Sequence, residues 1–261
     1  MARRLRLTVE YDGSGFAGFQ LQAKARTVQG ELERALAVLN GRPGRIWGAG
    51  RTDSGVHAEG QVVACEYVGP LADAELARAL NGLLPSDLAV RELETAENGF
   101  DPRRKASART YRYRILNRPS RSPLQAEYTW HVPTPLRCDQ MNAAAERLRG
   151  VHDFRRFASE PGPVIRHLFD CFCHRRGDLL LVDIRASAFA RRMVRRIVGG
   201  LVNVGSSRWQ ESEFASLLDV DCASELIPPS APAHGLTLRS VEYGRRVVPA
   251  DSIAHEVVGD A

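Results

Sequence analysis

A chain of 261 residues with 44% hydrophobic content can bury one large or two medium cores, which excludes an extended disordered protein. The formal charge is +5 and the pI is near 9.2, carried almost wholly by arginine, because only Lys24 and Lys105 are lysine. An arginine excess has two readings, a compositional bias that also shows in the Ala-rich helices, or a surface for phosphates, where the planar guanidinium makes bidentate contacts that lysine does not.

A strand is predicted at about 3–11, with Leu5, Leu7, Val9 and Tyr11 on one face. This alternation stands where a signal peptide would carry a continuous apolar core, and no run of eighteen apolar residues elsewhere suits a membrane span. A glycine-rich turn follows, from Asp12 to Gln20. From Thr27, a good N-cap, Val28, Glu31, Leu32, Ala35, Leu36 and Leu39 recur at helical spacing until Asn40 and Gly41. A short strand near 45–48 leads into Gly50-Arg51-Thr52-Asp53-Ser54-Gly55, which has turn composition, and Gln61 to Tyr67 reads as the next strand. Asp73 to Leu83 reads as a helix and Leu88 to Leu93 as a strand.

A second unit opens with the basic stretch Arg103-Arg104-Lys105 and the alternating strand Thr110 to Leu116. Residues 118–137, rich in Pro and polar groups, read as an irregular connection. Helices are predicted at about 138–149 and 188–204, strands at about 168–174, 179–186 and 236–243. These contents describe an α+β chain in two units of similar make-up, residues 1–104 and 105–246, with a tail at 247–261.

Five cysteines, Cys65, Cys138, Cys171, Cys173 and Cys222, form an odd set without a CxxC pair, which favours a reducing compartment and a cytoplasmic protein. Cys171-Phe172-Cys173-His174, with His167 upstream, offers metal-ligand types, but the tract alternates like a strand and no metal is expected.

The chemistry concentrates in Gly48 to Gln61. Four glycines around one acid let the backbone bend sharply and present the Asp53 carboxylate at the tip of a turn. An Asp in such a turn ordinarily bonds its own backbone. The whole string changes that reading: Gly50-Arg51-Thr52-Asp53, then Gly55-Val56-His57-Ala58, resembles the signature of the TruA family of tRNA pseudouridine synthases. Other elements agree in order over roughly residues 5–243. They are Tyr11-Asp12-Gly13-Ser14 with Phe16, Gly18, Phe19 and Gln20; Thr27-Val28-Gln29-Gly30; Phe100, Arg103 and Tyr111-Arg112-Tyr113; His152-Asp153-Phe154; Ala188-Phe189 and Met193-Val194-Arg195 with Ile197-Val198-Gly199; and Gly235-Leu236.

The resemblance implies two ferredoxin-like halves joined into one extended, mostly antiparallel sheet with helices packed on it and the active cleft between them. It implies a homodimer in which one RNA contacts both subunits, and isomerisation of uridine to pseudouridine at positions 38, 39 and 40 of the anticodon stem-loop. That reaction changes no redox state and transfers nothing to a second molecule, so no cofactor is expected. Asp53 matches the catalytic aspartate, which attacks C6 of uracil or C1′ of ribose. Arg51 matches the arginine beside it, suited to keeping the carboxylate ionised and to filling the space of an extruded base. Tyr111 matches the tyrosine that packs on the flipped base, Leu236 the leucine across the pocket, and Arg195 the arginine of the cleft. Arg103, Arg191, Arg192 and Arg196 are candidates for the RNA backbone. His57 and His152 read as structural.

Several positions depart from the family pattern. Ser54 replaces an alanine and Phe19 a tryptophan, Asp101-Pro102 replaces His-Ala before Arg103, Arg104 stands where an aromatic is frequent, and the loop at 158–163 is short. Chemistry is therefore better supported than substrate. The alternatives are a paralogue with another RNA target, a non-catalytic RNA-binding protein, and a glycoside hydrolase using Asp53 with Glu59.

Overall fold

In β1 (Arg3–Tyr11) the side chains of Leu5, Leu7, Val9 and Tyr11 are buried and those between them reach solvent, the period-two pattern of a sheet covered on one side. The computed structural model describes residues 2–219, 221 and 226–244. Cys222 and the tail expected from 247 lie outside the described residues. After β1 come α1 (Val28–Asn40), β2 (Trp47–Gly48), β3 (His57–Tyr67), α2 (Asp73–Leu83) and β4 (Leu88–Thr95). Then follow β5 (Ala106–Leu116), β6 (Trp130–His131), α3 (Cys138–Glu146), β7 (Gly150–Asp153), β8 (Ile165–Arg176), β9 (Leu179–Ala186), α4 (Met193–Gly205), α5 (Glu211–Ala215) and β10 (Leu236–Tyr243).

The strands form one sheet in the order β4-β1-β3-β10-β5-β9-β8-β7, with β2 added to β3 and β6 to β5. Every pairing is antiparallel except β10 with β3 and β5 with β6. The class is α+β, as expected. The last strand in sequence lies in the middle, between β3 and β5, and so joins early and late parts of the chain. Residues facing each other across a ladder share a side of the sheet, and one such row runs Leu88, Tyr11, Ala58, Leu238, Tyr111, Ile184, Cys171. All seven are buried. The other side carries cross-strand ion pairs: Arg6 with Glu94 at 3.0 Å, Arg112 with Asp183 at 2.7 Å and Arg185 with Glu242 at 2.7 Å.

Three expectations are corrected. The helix predicted at 188–204 begins only at Met193, because Arg192 takes a left-handed conformation (φ +63°) that no α-helix accommodates, and the Met193 N–H turns back to the Ala190 carbonyl. Arg191 and Arg192 therefore lie in a turn, with Phe189 in the chain before it, while Met193, Ile197 and Leu201 form the buried stripe. The helix predicted to 149 ends at Glu146, where the N–H groups of Leu148 and Arg149 bond three residues back and tighten the last turn. The strand read from Gln61 starts at His57 because β10 pairs with its first two residues, a contact invisible to local pattern. β7 and α5, both short, carried no sequence signal.

Helix α4 packs against the chain near Pro229 so tightly that a Cβ on Gly199 would stand 1.9 Å from the Pro229 carbonyl oxygen, whereas one on Gly82 in α2 would meet nothing within 4 Å. Helix propensity alone favours alanine at both sites by about 1 kcal/mol. Chemical denaturation should show Gly82→Ala stabilising by up to about 1 kcal/mol and Gly199→Ala destabilising by about 1–3 kcal/mol. Equal effects at the two positions would contradict this packing.

Candidate active site

Asp53 sits between β2 and β3 in a turn closed by the Val56 N–H donating to the Asp53 carbonyl at 3.2 Å, with Gly55 at φ +77°. That conformation is open to glycine at little cost. The turn is fastened from below. The Thr52 hydroxyl and the Tyr11 phenol are hydrogen-bonded at 2.8 Å, the Thr52 carbonyl accepts from Phe19 N–H at 3.1 Å, and Ser54 Oγ donates to the Phe16 carbonyl at 3.1 Å. The Asp53 side chain stays 29% exposed.

Its partner comes from 142 positions later. Arg195, in the first turn of α4, donates from Nη1 to Asp53 Oδ2 at 3.2 Å and from Nε to the Ala231 carbonyl at 2.6 Å, while the Ala231 N–H returns a bond to the Arg195 carbonyl at 3.0 Å. Oδ1 of Asp53 has no hydrogen-bond partner among the described residues. The segment that Arg195 grips continues through Pro232, whose carbonyl accepts from the Tyr113 phenol at 2.7 Å, into Leu236 at the head of β10. Leu236 faces Tyr113 across the ladder, and Leu238 faces Tyr111. Because β10 runs parallel to β3, its start lies beside the Asp53 turn: a Cβ on Gly55 would be 3.3 Å from that of Ala233. Tyr111 is buried, its ring edge-to-face with Phe189 at 5.2 Å, and its hydroxyl makes no hydrogen bond among the described residues. Asp53, Arg195, Tyr111 and Leu236 are thus gathered by one end of the central strands.

Arg51 is placed differently from expectation. It is exposed and contacts neither Asp53 nor any acid among the described residues, so the guanidinium on the carboxylate is Arg195's. Arg103, Arg191 and Arg192 are exposed, and their side chains also make no ion pair among the described residues. Arg196 is half-buried and donates to the Ala158 carbonyl, and burial, helped by nearby Arg192, lowers its pKa. This fixes the loop after Phe157 more than it offers a free cation. Glu59 is no partner of Asp53: it alternates away from Ala58 and pairs with Arg114 at 3.0 Å and with Arg239, which removes the two-carboxylate hydrolase reading. In β8, Cys171 and Cys173 are buried while Phe172 and His174 project from the other side, so the four do not converge, and no group of three or more metal-ligating side chains stands together among the described residues.

A buried residue not singled out from the sequence is Arg109. It donates to the carbonyls of Ala49 (3.0 Å), Arg103 (2.9 Å) and Ser187 (2.7 Å), tying the stem of the Asp53 loop to two neighbouring loops. Period two along β5 already puts it in step with Tyr111 and Tyr113, which is the signal that could have found it. His57, read from the sequence as structural, joins β3 to Gly13, Glu127 and His234. Asp101, one of the departures, caps its own turn by accepting from the N–H groups of Arg103 (2.8 Å) and Arg104 (2.9 Å), and these bonds outweigh desolvation and hold its carboxyl below the usual range.

Asp53 thus presents a partly exposed carboxylate with one oxygen held by Arg195 and the other without a hydrogen-bond partner among the described residues. A family model described as tRNA pseudouridine synthase matches residues 7–103 and 144–244. The tRNA pseudouridine synthase A of Methylobacterium sp. (strain 4-46) is 43% identical over 244 residues, covering 92% of this chain and 97% of its own. That of Bradyrhizobium sp. (strain BTAi1 / ATCC BAA-1182) is 41% identical over 249 residues, covering 92% and 99%, and that of Latilactobacillus sakei subsp. sakei (strain 23K) 36% identical over 249 residues, covering 93% and 100%. The chain belongs to the tRNA pseudouridine synthase family.

The tyrosines of the site stay neutral far above neutral pH. Burial pushes the Tyr11 phenol up to about 12 against the opposing bonds to Thr52 and Gln61. Burial, then Tyr11, then the Asp53 charge raise that of Tyr111 further, with Arg109 pulling the other way. An unfolded tyrosine releases its proton near pH 10, so above that pH the folded state holds protons that the unfolded state has lost. Stability contributed by these phenols is complete below about pH 10 and declines as pH rises toward their folded values. Denaturant unfolding between about pH 9 and about pH 11.5 should show the free energy falling by up to about 1.4 kcal/mol per pH unit for each buried tyrosine, and Tyr11→Phe should remove about one such share of the slope.

Proposed function

We propose that this protein isomerises uridine to pseudouridine in tRNA with Asp53 as nucleophile. The observation that carries the reading is the Arg195–Asp53 ion pair at 3.2 Å, which holds the carboxylate through Oδ2 alone and leaves Oδ1 a free lone pair. Attack by Oδ1 at C6 of uracil or C1′ of ribose accompanies rupture of the C1′–N1 bond. The uracil turns, C1′ bonds to C5, the bond from Oδ1 to carbon breaks and returns the free carboxylate, the C5 proton leaves to solvent and N1 takes up a proton, so atoms balance without a second substrate. Tyr111 and Leu236 serve as walls for the extruded base, and Arg51, exposed at the tip of the loop, fills the gap the base leaves in the RNA.

The arginines of the site support an RNA partner. The side chains of Arg51, Arg103, Arg191 and Arg192 make no ion pair among the described residues, whereas those of the polar sheet face are neutralised by Asp183, Glu59 and Glu242. Phosphates read in this way fix position without reading sequence, which suits uridines 38, 39 and 40 of several tRNAs with unrelated anticodons. The same reading includes a cytoplasmic homodimer, for which sedimentation of twice the 28.8 kDa chain mass is expected.

Asp53→Asn keeps the shape of the side chain and removes its charge. It should abolish tritium release from tRNA labelled at C5 of uridine while tRNA binding persists, and cells relying on that variant should lose pseudouridine at positions 38 to 40. Substantial turnover by the variant would refute the nucleophile, and loss confined to ribosomal RNA would refute the target. Arg103→Ser and Arg191→Ser should each flatten the dependence of log affinity on log salt by about 0.7–0.9, the effect of one phosphate contact.

A further inference from the structure

His57 opens β3, four positions after Asp53, and its side chain is only 6% exposed. A polar ring at that depth needs partners for both nitrogens. Nδ1 lies 3.0 Å from the Gly13 N–H and 3.1 Å from Asp12 Oδ1, and Nε2 lies 2.9 Å from the Glu127 carbonyl and 3.0 Å from the His234 carbonyl. Since Nε2 faces only acceptors it donates, and Nδ1 accepts from the Gly13 N–H, so both nitrogens are committed and the ring orientation is fixed. Asp12 is held in turn, its Oδ2 accepting from the Tyr128 hydroxyl at 2.6 Å and its Oδ1 from Ser14 N–H at 2.9 Å, and the Tyr128 ring lies 5.1 Å from that of His57. Burial pushes the Asp12 carboxyl upward, but the bonds from Tyr128 and Ser14 and the nearby imidazole outweigh it and keep the group below its ordinary value.

These contacts reach both walls of the pocket. On one side, Gly13 packs so closely on Val56 that a Cβ would stand 2.2 Å from the Val56 carbonyl oxygen, and the Val56 N–H closes the Asp53 turn. On the other side, His234 belongs to the turn that delivers Leu236. Glu127 and Tyr128 come from the connection between β5 and β6. A flat ring with hydrogen-bonding nitrogens on opposite edges spans two backbones at a set separation, which an amide on a flexible stem does less well.

We propose that His57, supported by Asp12 and Tyr128, is a positioning residue that sets the separation between the Asp53 carboxylate and the Leu236 wall. It touches neither, and acts through the Gly13–Val56 packing and the His234 carbonyl. The inference rests on Asp53 being the nucleophile, so Asp53→Asn is measured beside the test variants.

The experiment is C5-tritium release from labelled tRNA, with kcat and KM resolved and rates normalised to folded protein by circular dichroism. Tyr128 is partly exposed and Tyr128→Phe removes only the hydroxyl, so folding is not at risk. It should lower kcat about 3–10-fold and His57→Gln about 10–100-fold, with KM changed less than about two-fold, because misplacement costs the transition state and not the binding of the RNA body. Both variants should keep the wild-type pH profile. Unchanged kcat in both, with Asp53→Asn inactive, overturns the positioning role and leaves the nucleophile standing. A pH limb lost in His57→Gln makes His57 an acid-base group and overturns it too. An active Asp53→Asn removes the premise along with the inference.

Discussion

The bond from Arg195 to Asp53 is the constraint on which the site depends. A carboxylate at the tip of a glycine turn has few neighbours of its own, and without a cation its orientation would be set by solvent. Arg195 supplies that cation from the first turn of α4, and is aimed because its Nε is committed to the Ala231 carbonyl. The requirement propagates outward. The helix must start at Met193 for Arg195 to point into the cleft, which fits the left-handed turn at Arg192, and residues 231–236 must lie against α4, which positions Leu236 at the same time.

The arginine excess resolves into two populations once the fold is known. On the sheet side opposite Tyr111, Arg112, Arg114 and Arg185 are matched by carboxylates at hydrogen-bonding distance and project little field. Arg51, Arg103, Arg191 and Arg192 are exposed and their side chains make no ion pair among the described residues, so their charge is less neutralised. Composition cannot distinguish these populations because it carries no information on pairing.

Much of the fold was legible because one side of the sheet is covered: β1, α1, α2, β9 and β10 follow from period two or from helical spacing with a cap or a stop. What failed were features set by distant contacts. The start of β3 is defined by β10, some 180 positions later, and the start of α4 by a backbone conformation with no residue signature, since arginine has no preference for φ > 0. The motif order singles out Asp53, Tyr111, Leu236 and Arg195, and the fold sets Arg195 on Asp53 and pairs the strands of Tyr111 and Leu236. The family motif implies the guanidinium of Arg51 beside Asp53, whereas the structure puts that of Arg195 there, since a turn directs nearby side chains apart.

The departures around the cleft follow from how the site is fastened. Arg195 binds the Ala231 carbonyl, Tyr113 that of Pro232, His57 those of Glu127 and His234, and Arg109 those of Ala49, Arg103 and Ser187. Each anchor is a side chain, but each acceptor is main chain, present whatever residue occupies the position. A change at an acceptor position therefore costs little provided the local backbone is kept, and Asp101 keeps it by capping the turn that holds the Arg103 carbonyl in reach of Arg109. Replacing an anchor is different in kind, since it leaves several buried carbonyls without donors at about 1–3 kcal/mol each. A substitution on the exposed side of these loops thus leaves the main-chain acceptors and the Asp53 carboxylate in register.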